Sequence, residues 1–99
     1  MSLEWVERKR ITNLAKHAVD FELAKLIFDG PTLEGPDDRR NYGERRIGAY
    51  GEAKGLVLFV IYTWRGRRRR LISARKAGTH EQEIYSARIG ATQGGKGQG

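Results

Sequence analysis

The stretch RGRRRRLISARKA, residues 65–77, sets Arg65, Arg67, Arg68, Arg69, Arg70, Arg75 and Lys76 around Leu71-Ile72-Ser73-Ala74. A guanidinium stays charged and offers two coplanar donors at once, so a cluster of them is suited to phosphate oxygens. Arginines along a sheet edge also discourage unwanted strand pairing, which explains two or three of them but not the whole run. The phosphate-holding reading assigns Arg67, Arg68, Arg69, Arg70 and Lys76 to the backbone of a nucleic acid, with a merely solvated edge as the alternative. A second group, Lys9, Asn13, Lys16 and His17, falls on one side of a helix at about 100° per residue. The polar face of any amphipathic helix would look the same. Glu81 and Tyr85 form a third group, one helical turn apart.

These groups belong to a small, basic chain. Its 99 residues predict one domain with a thin core, over residues 1–89, followed by a glycine-rich flexible tail, 90–99. Nineteen Lys and Arg against twelve Asp and Glu leave a net charge of +7, which favours anionic partners. The absence of cysteine removes disulfides, thiolate metal sites and cysteine nucleophiles, and fits a reducing compartment. No apolar run approaches the roughly 18–20 residues of a membrane span, and the first twenty residues carry charges where a signal peptide would be apolar. The expectation is a soluble cytoplasmic protein without a membrane partner. Residues 90–96, GATQGGK, have the spacing of a phosphate loop, but Gly97 replaces the Ser or Thr that would hold magnesium. With no HExxH, EF-hand or paired His/Cys spacing either, neither a metal nor a cofactor is expected.

The elements that must position the three groups can be read from periodicity. Ile11, Leu14, Ala15 and Ala18 follow i, i+3, i+4, i+7, which predicts a first helix over 6–18 with that stripe facing the core. Asp20 reads as the N-cap of a second, very apolar helix through Phe28, stopped by Asp29-Gly30-Pro31. Residues 32–44 read as a polar loop, with room for a short strand. Strands are predicted over 46–51, 56–64 and 68–76. The middle one sends Val57, Phe59, Ile61 and Thr63 one way, and Leu58, Val60, Tyr62 and Trp64 the other. In the third, strict alternation sets Leu71, Ser73 and Arg75 on one side, and it puts Arg67, Arg69 and Arg75 on a common face opposite Arg68 and Arg70. Thr79 with Gln82 reads as a capping box opening a last helix through about Arg88. The fold class is α+β: two N-terminal helices packed on a three- to four-stranded antiparallel meander, then a C-terminal helix. The face bearing Leu58, Val60, Tyr62 and Trp64 is expected to be incompletely covered and to receive a partner.

Several of these residues together resemble a known family. Glu4-Trp5, Asn13-Leu14-Ala15-Lys16-His17, Asp20-Phe21-Glu22, then GERRIGAYG at 43–51, LVLFVIYT at 56–63, RLISARKA at 70–77, Glu81 and Tyr85 resemble the BrnT family. These are the toxins of type II toxin-antitoxin modules, related in fold to the RelE ribonucleases, and the likeness spans about residues 3–85. Val6 stands where the family usually has Asp, and Ala18 where it usually has Gly, so a helix N-cap and a glycine C-cap are lost. The resemblance implies a ribonuclease that cuts messenger RNA and arrests translation. It also implies a BrnA-like antitoxin partner, and operator DNA bound only through the toxin-antitoxin complex.

Cleavage of RNA by its own 2′-hydroxyl needs a base for that hydroxyl, an acid for the leaving 5′-oxygen and positive charge on the phosphorane. A metal is optional. Under this reading Arg75 clamps the phosphorane, Lys9 and Lys16 add charge, and His17 moves the proton, because the ordinary imidazole pKa of about 6.5 lies near working pH. Glu81 serves as base or orienter, and Tyr85 as a hydrogen-bond donor or stacking platform. Two rival readings remain. One is a non-catalytic basic RNA-binding module, with Tyr62 and Trp64 stacking on bases. The other is a structural partner whose basic face matches an acidic antitoxin.

Overall fold

The computed structural model describes residues 2–93. In chain order they form β1 (Leu3–Glu4), α1 (Glu7–His17), α2 (Phe21–Ala24) continuing as a 3-10 turn over Lys25–Asp29, and β2 (Leu33–Pro36). There follow β3 (Ile47–Ala53), β4 (Leu56–Arg65), β5 (Arg68–Lys76) and α3 (Thr79–Gln93). The strands make one sheet in the order β1-β5-β4-β3-β2, with β1 parallel to β5 and every other pairing antiparallel. The α+β class holds, but the sheet has five strands rather than three or four. β2 is the short strand for which residues 32–44 left room, at one edge; β1, at the other, was not expected, because Leu3–Glu4 is too short to show a period of two. α3 runs to Gln93, past the expected end at Arg88, and residues 94–99 of the expected tail lie outside the described residues.

The core lies under the face of β4 expected to be open. Leu58, Val60 and Tyr62 are sealed beneath Phe21, Ala24, Ile27 and Phe28, with Leu71, Ala74 and Ala49 beside them. Phe28 meets Tyr62 edge to face at 5.4 Å. Phe21, Ile27, Phe28, Leu58, Val60 and Leu71 each contribute about 1.5–3 kcal/mol by leaving water. This face is therefore no docking surface, and only Trp64 at its end stays exposed. Asp20 caps α2 as expected, accepting from the Glu22 amide at 3.0 Å, and its carboxylate also holds Arg10 of α1 through two bonds.

A bulge re-phases β5. Ile61 pairs with Ser73 and Tyr62 with Leu71, so Ile72 is an extra residue without an opposite number. Strict alternation fails across it: Leu71 and Ala74 both turn to the core, and Arg75 ends on the face opposite Arg69.

α1 is oriented against expectation. Ile11 and Leu14 are 58% and 42% exposed, while Asn13 is 5% exposed. The cause is the edge of β5, which β1 covers only at Arg69 and Arg70. Further along, the Asn13 amide takes the place of a strand: Nδ2 donates to the Ala74 carbonyl at 2.9 Å and Oδ1 accepts from the Ala74 amide at 3.1 Å. Nδ2 also donates to the Val19 carbonyl at 2.9 Å. A buried backbone edge requires hydrogen-bond partners that Leu14 does not have, so the amide turns inward and the aliphatic stripe outward.

α1 ends at Ala18 in the left-handed region, φ 60° and ψ 27°, its amide donating to the Leu14 carbonyl at 2.9 Å. Its N-cap, Val6, offers no side-chain bond. Because a Cβ in the left-handed region is strained, Ala18→Gly is expected to stabilise the protein by about 0.5–1 kcal/mol after the added freedom of glycine in the unfolded chain is subtracted. Thermal unfolding of the two proteins checks this, and an unchanged or lower midpoint would refute it.

Candidate active site

The face of the sheet opposite the core carries two concavities. The first, about 360 Å³, lies between α1 and β5 and is lined by Arg8, Lys9, Thr12, Asn13, Lys16, His17, Ile72 and Ser73, with Val6 at its edge. It combines three cations, an imidazole and two hydroxyl side chains with no carboxylate. Among the described residues Arg8, Lys9, Lys16 and His17 form no ion pair. The Asn13 anchor is what holds this helix face against Ser73. Lys16 and His17 occupy the last turn of α1, where the helix dipole favours positive charge.

The second concavity, about 570 Å³, is lined by Gly35, Pro36, Asp38, Arg39, Gly48, Tyr50, Phe59, Arg75, Glu81 and Arg88, among others. Arg75 donates to both Glu81 oxygens, Nη1 to Oε1 at 2.8 Å and Nη2 to Oε2 at 2.9 Å. Glu81 further accepts from the Tyr50 hydroxyl at 2.7 Å and from the Gly78 amide at 2.7 Å. The Arg75 bonds, helped by those from Gly78 and Tyr50, hold the Glu81 carboxyl down at about 2 against the opposing effect of burial. Such a carboxylate accepts protons poorly at neutral pH, so its geometry suits orienting Arg75 and not general-base work. Burial, and then the bond to Glu81, raise the Tyr50 phenol.

The bond from Gly78 also moves the cap of α3. Gly78 precedes the first helical residue, and Glu81 reaches back to its amide, so one half of the box expected at Thr79 and Gln82 forms one residue earlier, without the side-chain half that glycine cannot supply. Gln82 instead donates to the Ala77 carbonyl at 3.0 Å.

Since the folded Glu81 pKa lies below its usual 4.5, this group contributes stability that is present above about pH 4.5 and is lost as pH falls towards 2. Asp20 and Asp37, lowered by Arg10 and Arg39, act in the same direction. Glu81→Gln is therefore expected to shallow the acid limb of a melting-temperature profile without steepening it near neutrality. A limb of unchanged slope would contradict the bonding described.

The other expected site residues are distributed more widely. Lys9, Lys16 and His17 come together in the first concavity, while Arg75 and Glu81 come together in the second. Ser73 and Arg75 are two residues apart on the same face, which makes the hollows neighbours, about 7 Å apart along β5. Tyr85 lines neither; it is 5% exposed, and its hydroxyl donates to the Pro31 carbonyl at 2.8 Å, tying α3 to the loop before β2. The arginine run is divided among several neighbours. Arg69 is packed among the rings of Phe28, Trp64 and Tyr62 at 4.3, 4.8 and 5.2 Å. Arg70 donates to Glu4 at 2.7 Å, and Arg68 lies 3.9 Å from the same carboxylate. Arg67 and Lys76 are exposed. Arg68 and Arg75 stand at opposite ends of β5, about 23 Å apart by strand rise. Sequence reasoning missed Thr12, Ser73, Tyr50 and Phe59, whose shared placement depends on strand register.

No group of three or more His, Cys, Asp or Glu residues suited to a metal occurs among the described residues. No helix among them is long and apolar enough to cross a membrane.

A family model described as "Ribonuclease toxin, BrnT, of type II toxin-antitoxin system" matches residues 5–81, which include both helix termini and strands that frame the two hollows. The 1.1 Å crystal structure of the Brucella abortus ribonuclease toxin, BrnT, is similar at 29% sequence identity with a TM-score of 0.59, over 80% of this chain and 99% of that one. No curated protein sequence matches significantly. With the family model covering most of the folded chain and a solved toxin sharing its architecture, the protein belongs to the BrnT family of type II toxin-antitoxin ribonuclease toxins.

Proposed function

We propose that this chain is an endoribonuclease that cleaves messenger RNA by metal-independent 2′-hydroxyl attack, arrests translation and is neutralised by a BrnA-like antitoxin. The observation that carries this reading is the α1–β5 groove, where Lys9, Lys16 and His17 gather with the hydroxyls of Thr12 and Ser73 and no carboxylate opposes them. A phosphodiester seated there meets the cations and the Thr12 hydroxyl of α1 on one side and the Ser73 hydroxyl of β5 on the other.

In the reaction the 2′-hydroxyl loses its proton and its oxygen bonds to phosphorus, and the P–O5′ bond breaks as the 5′-oxygen takes up a proton. The products are a 2′,3′-cyclic phosphate and a free 5′-hydroxyl. His17 is the group that moves a proton, Lys9 and Lys16 neutralise the phosphorane, and Arg75 adds charge from the neighbouring hollow, held in place by Glu81. Arg67 and Lys76, exposed at the two ends of β5, extend the positive surface for flanking phosphates. Tyr85 serves this site by fixing α3.

The test is incubation of purified protein with end-labelled RNA in the presence of a chelator. Cleavage with cyclic phosphate ends is expected. RNA retarded on a gel yet left intact would favour the binding-module reading instead.

Neutralisation follows from the same helix. Ile11, Leu14, Ala15 and Ala18 form an exposed stripe bordered by Arg8, directly beside the groove. An antitoxin segment with an apolar face and acidic flanks would bury the stripe and cover the cations together. Operator DNA would be contacted only through that complex. Leu14→Glu is expected to leave cleavage intact while the co-expressed antitoxin no longer restores growth; full rescue would place the contact elsewhere.

A further inference from the structure

The second hollow has a construction that the proposed chemistry does not require. Strand register sets Tyr50, Phe59 and Arg75 opposite one another on β3, β4 and β5, so three adjacent strands present a row of planar side chains, with Leu33 of β2 beyond Tyr50. The Tyr50 and Phe59 rings are 4.5 Å apart and tilted by 36°, and the Arg75 guanidinium carbon is 4.8 Å from the Phe59 centroid. In the next row the corresponding residues are Gly48, Ile61 and Ser73. The Phe59 ring lies over the space left by Gly48: a Cβ there would come within 2.6 Å of the ring's Cζ. Glu81 restrains both ends of the planar row by accepting from Arg75 and from the Tyr50 hydroxyl. The concavity above holds about 570 Å³ and has Pro36 and Arg39 among its other lining residues.

We propose that this hollow is a nucleobase subsite, taking the base of a nucleotide whose phosphate lies in the α1–β5 groove. Every base has a π face, so a platform of rings and a guanidinium suits RNA without requiring one sequence. The subsite adjoins the groove through Ser73 and Arg75, whose spacing is comparable to the span of one nucleotide. The assignment rests on the ribonuclease reading only for the identity of the polymer that joins the two stations. Its restraint by Glu81 gives the platform a fixed geometry before RNA arrives, which limits the ordering cost of binding.

The test needs no cleavage. The four nucleoside 5′-monophosphates and, separately, ribose 5-phosphate are titrated into the full-length protein and followed by backbone and aromatic NMR shifts. The nucleotides are expected to perturb Tyr50, Phe59 and Arg75 and to bind at least about fivefold more tightly than ribose 5-phosphate, the lower range for stacking on an aromatic side chain. Phe59→Leu is expected to reduce nucleotide affinity to that of the sugar phosphate, and Gly48→Ala, which pushes the ring from its seat without removing it, to do the same. Equal affinity of nucleotides and ribose 5-phosphate for the unaltered protein would overturn the subsite, as would shifts confined to Lys9, Thr12, Lys16 and Ser73. Nucleotide binding at the platform by a protein that leaves RNA intact would instead overturn the ribonuclease reading and leave the subsite standing.

Discussion

His17→Ala is expected to slow RNA cleavage by about 10²–10⁴-fold, the usual contribution of a positioned proton-transfer group. The expectation follows from where the imidazole sits: at the last turn of α1, lining the cationic groove with Lys9, Lys16 and Ser73. Loss of fold does not explain such an effect, since His17 is only half-buried. RNA affinity should change far less than the rate, because Lys9 and Lys16 remain. The decisive measurement is single-turnover cleavage from about pH 5 to about pH 8, the range in which imidazoles titrate. A variant with the same rate and the same pH profile as the original protein would remove His17 from the chemistry and return the groove to a purely electrostatic role.

The second large effect is on stability. Asn13→Ala is expected to cost about 3 kcal/mol, because it removes three buried hydrogen bonds and leaves backbone groups of Ala74 and Val19 without those partners. In a domain of this size that corresponds to a fall of more than about 10 °C in the melting temperature. Asn13→Asp retains an acceptor for the Ala74 amide but loses both donations and sets a carboxylate beside two carbonyl oxygens, so it should be no milder at neutral pH. The consequence reaches the site, since the helix carrying Lys9, Lys16 and His17 is hydrogen-bonded to β5 through this amide. A melting temperature within a degree or two of the original would mean that α1 is held chiefly by Arg10 and Asp20.

These two residues differ in how legible they were. The grouping of Lys9, Lys16 and His17 on one side of a helix was evident from spacing, because helical periodicity is a local property of the chain. The role of Asn13 was not, since its partner Ala74 lies 61 residues away. A sequence shows that Asn13 is polar and Leu14 is not. It does not show that the strand edge beside them lacks a neighbour. The exposed aliphatic stripe and the buried amide are two results of that missing strand.

The same division holds in the sheet. Local composition was enough to identify the three main strands and the cap at Asp20, while the helix end at Ala18, left-handed in the structure, was marked only by the glycine of the family pattern. The face of β4 that lies inward was decided by the aromatic residues of α2 and its continuation, Phe21 and Phe28, which seal Leu58, Val60 and Tyr62. One extra residue, Ile72, reversed the expected facing of Arg75 relative to Arg69. With it changed the fate of the arginines: Arg69 was drawn among three rings and Arg70 to Glu4, while Arg75 joined Glu81, Tyr50 and Phe59.

Charge, helix periodicity, the three main strands and the cap at Asp20 were determined by the sequence alone, because each depends on residues within a turn or two of one another. Register, inward face and the partners of each cation were decided only in three dimensions. Those depend on which distant backbone edges and apolar faces remain to be satisfied once the chain has closed on itself.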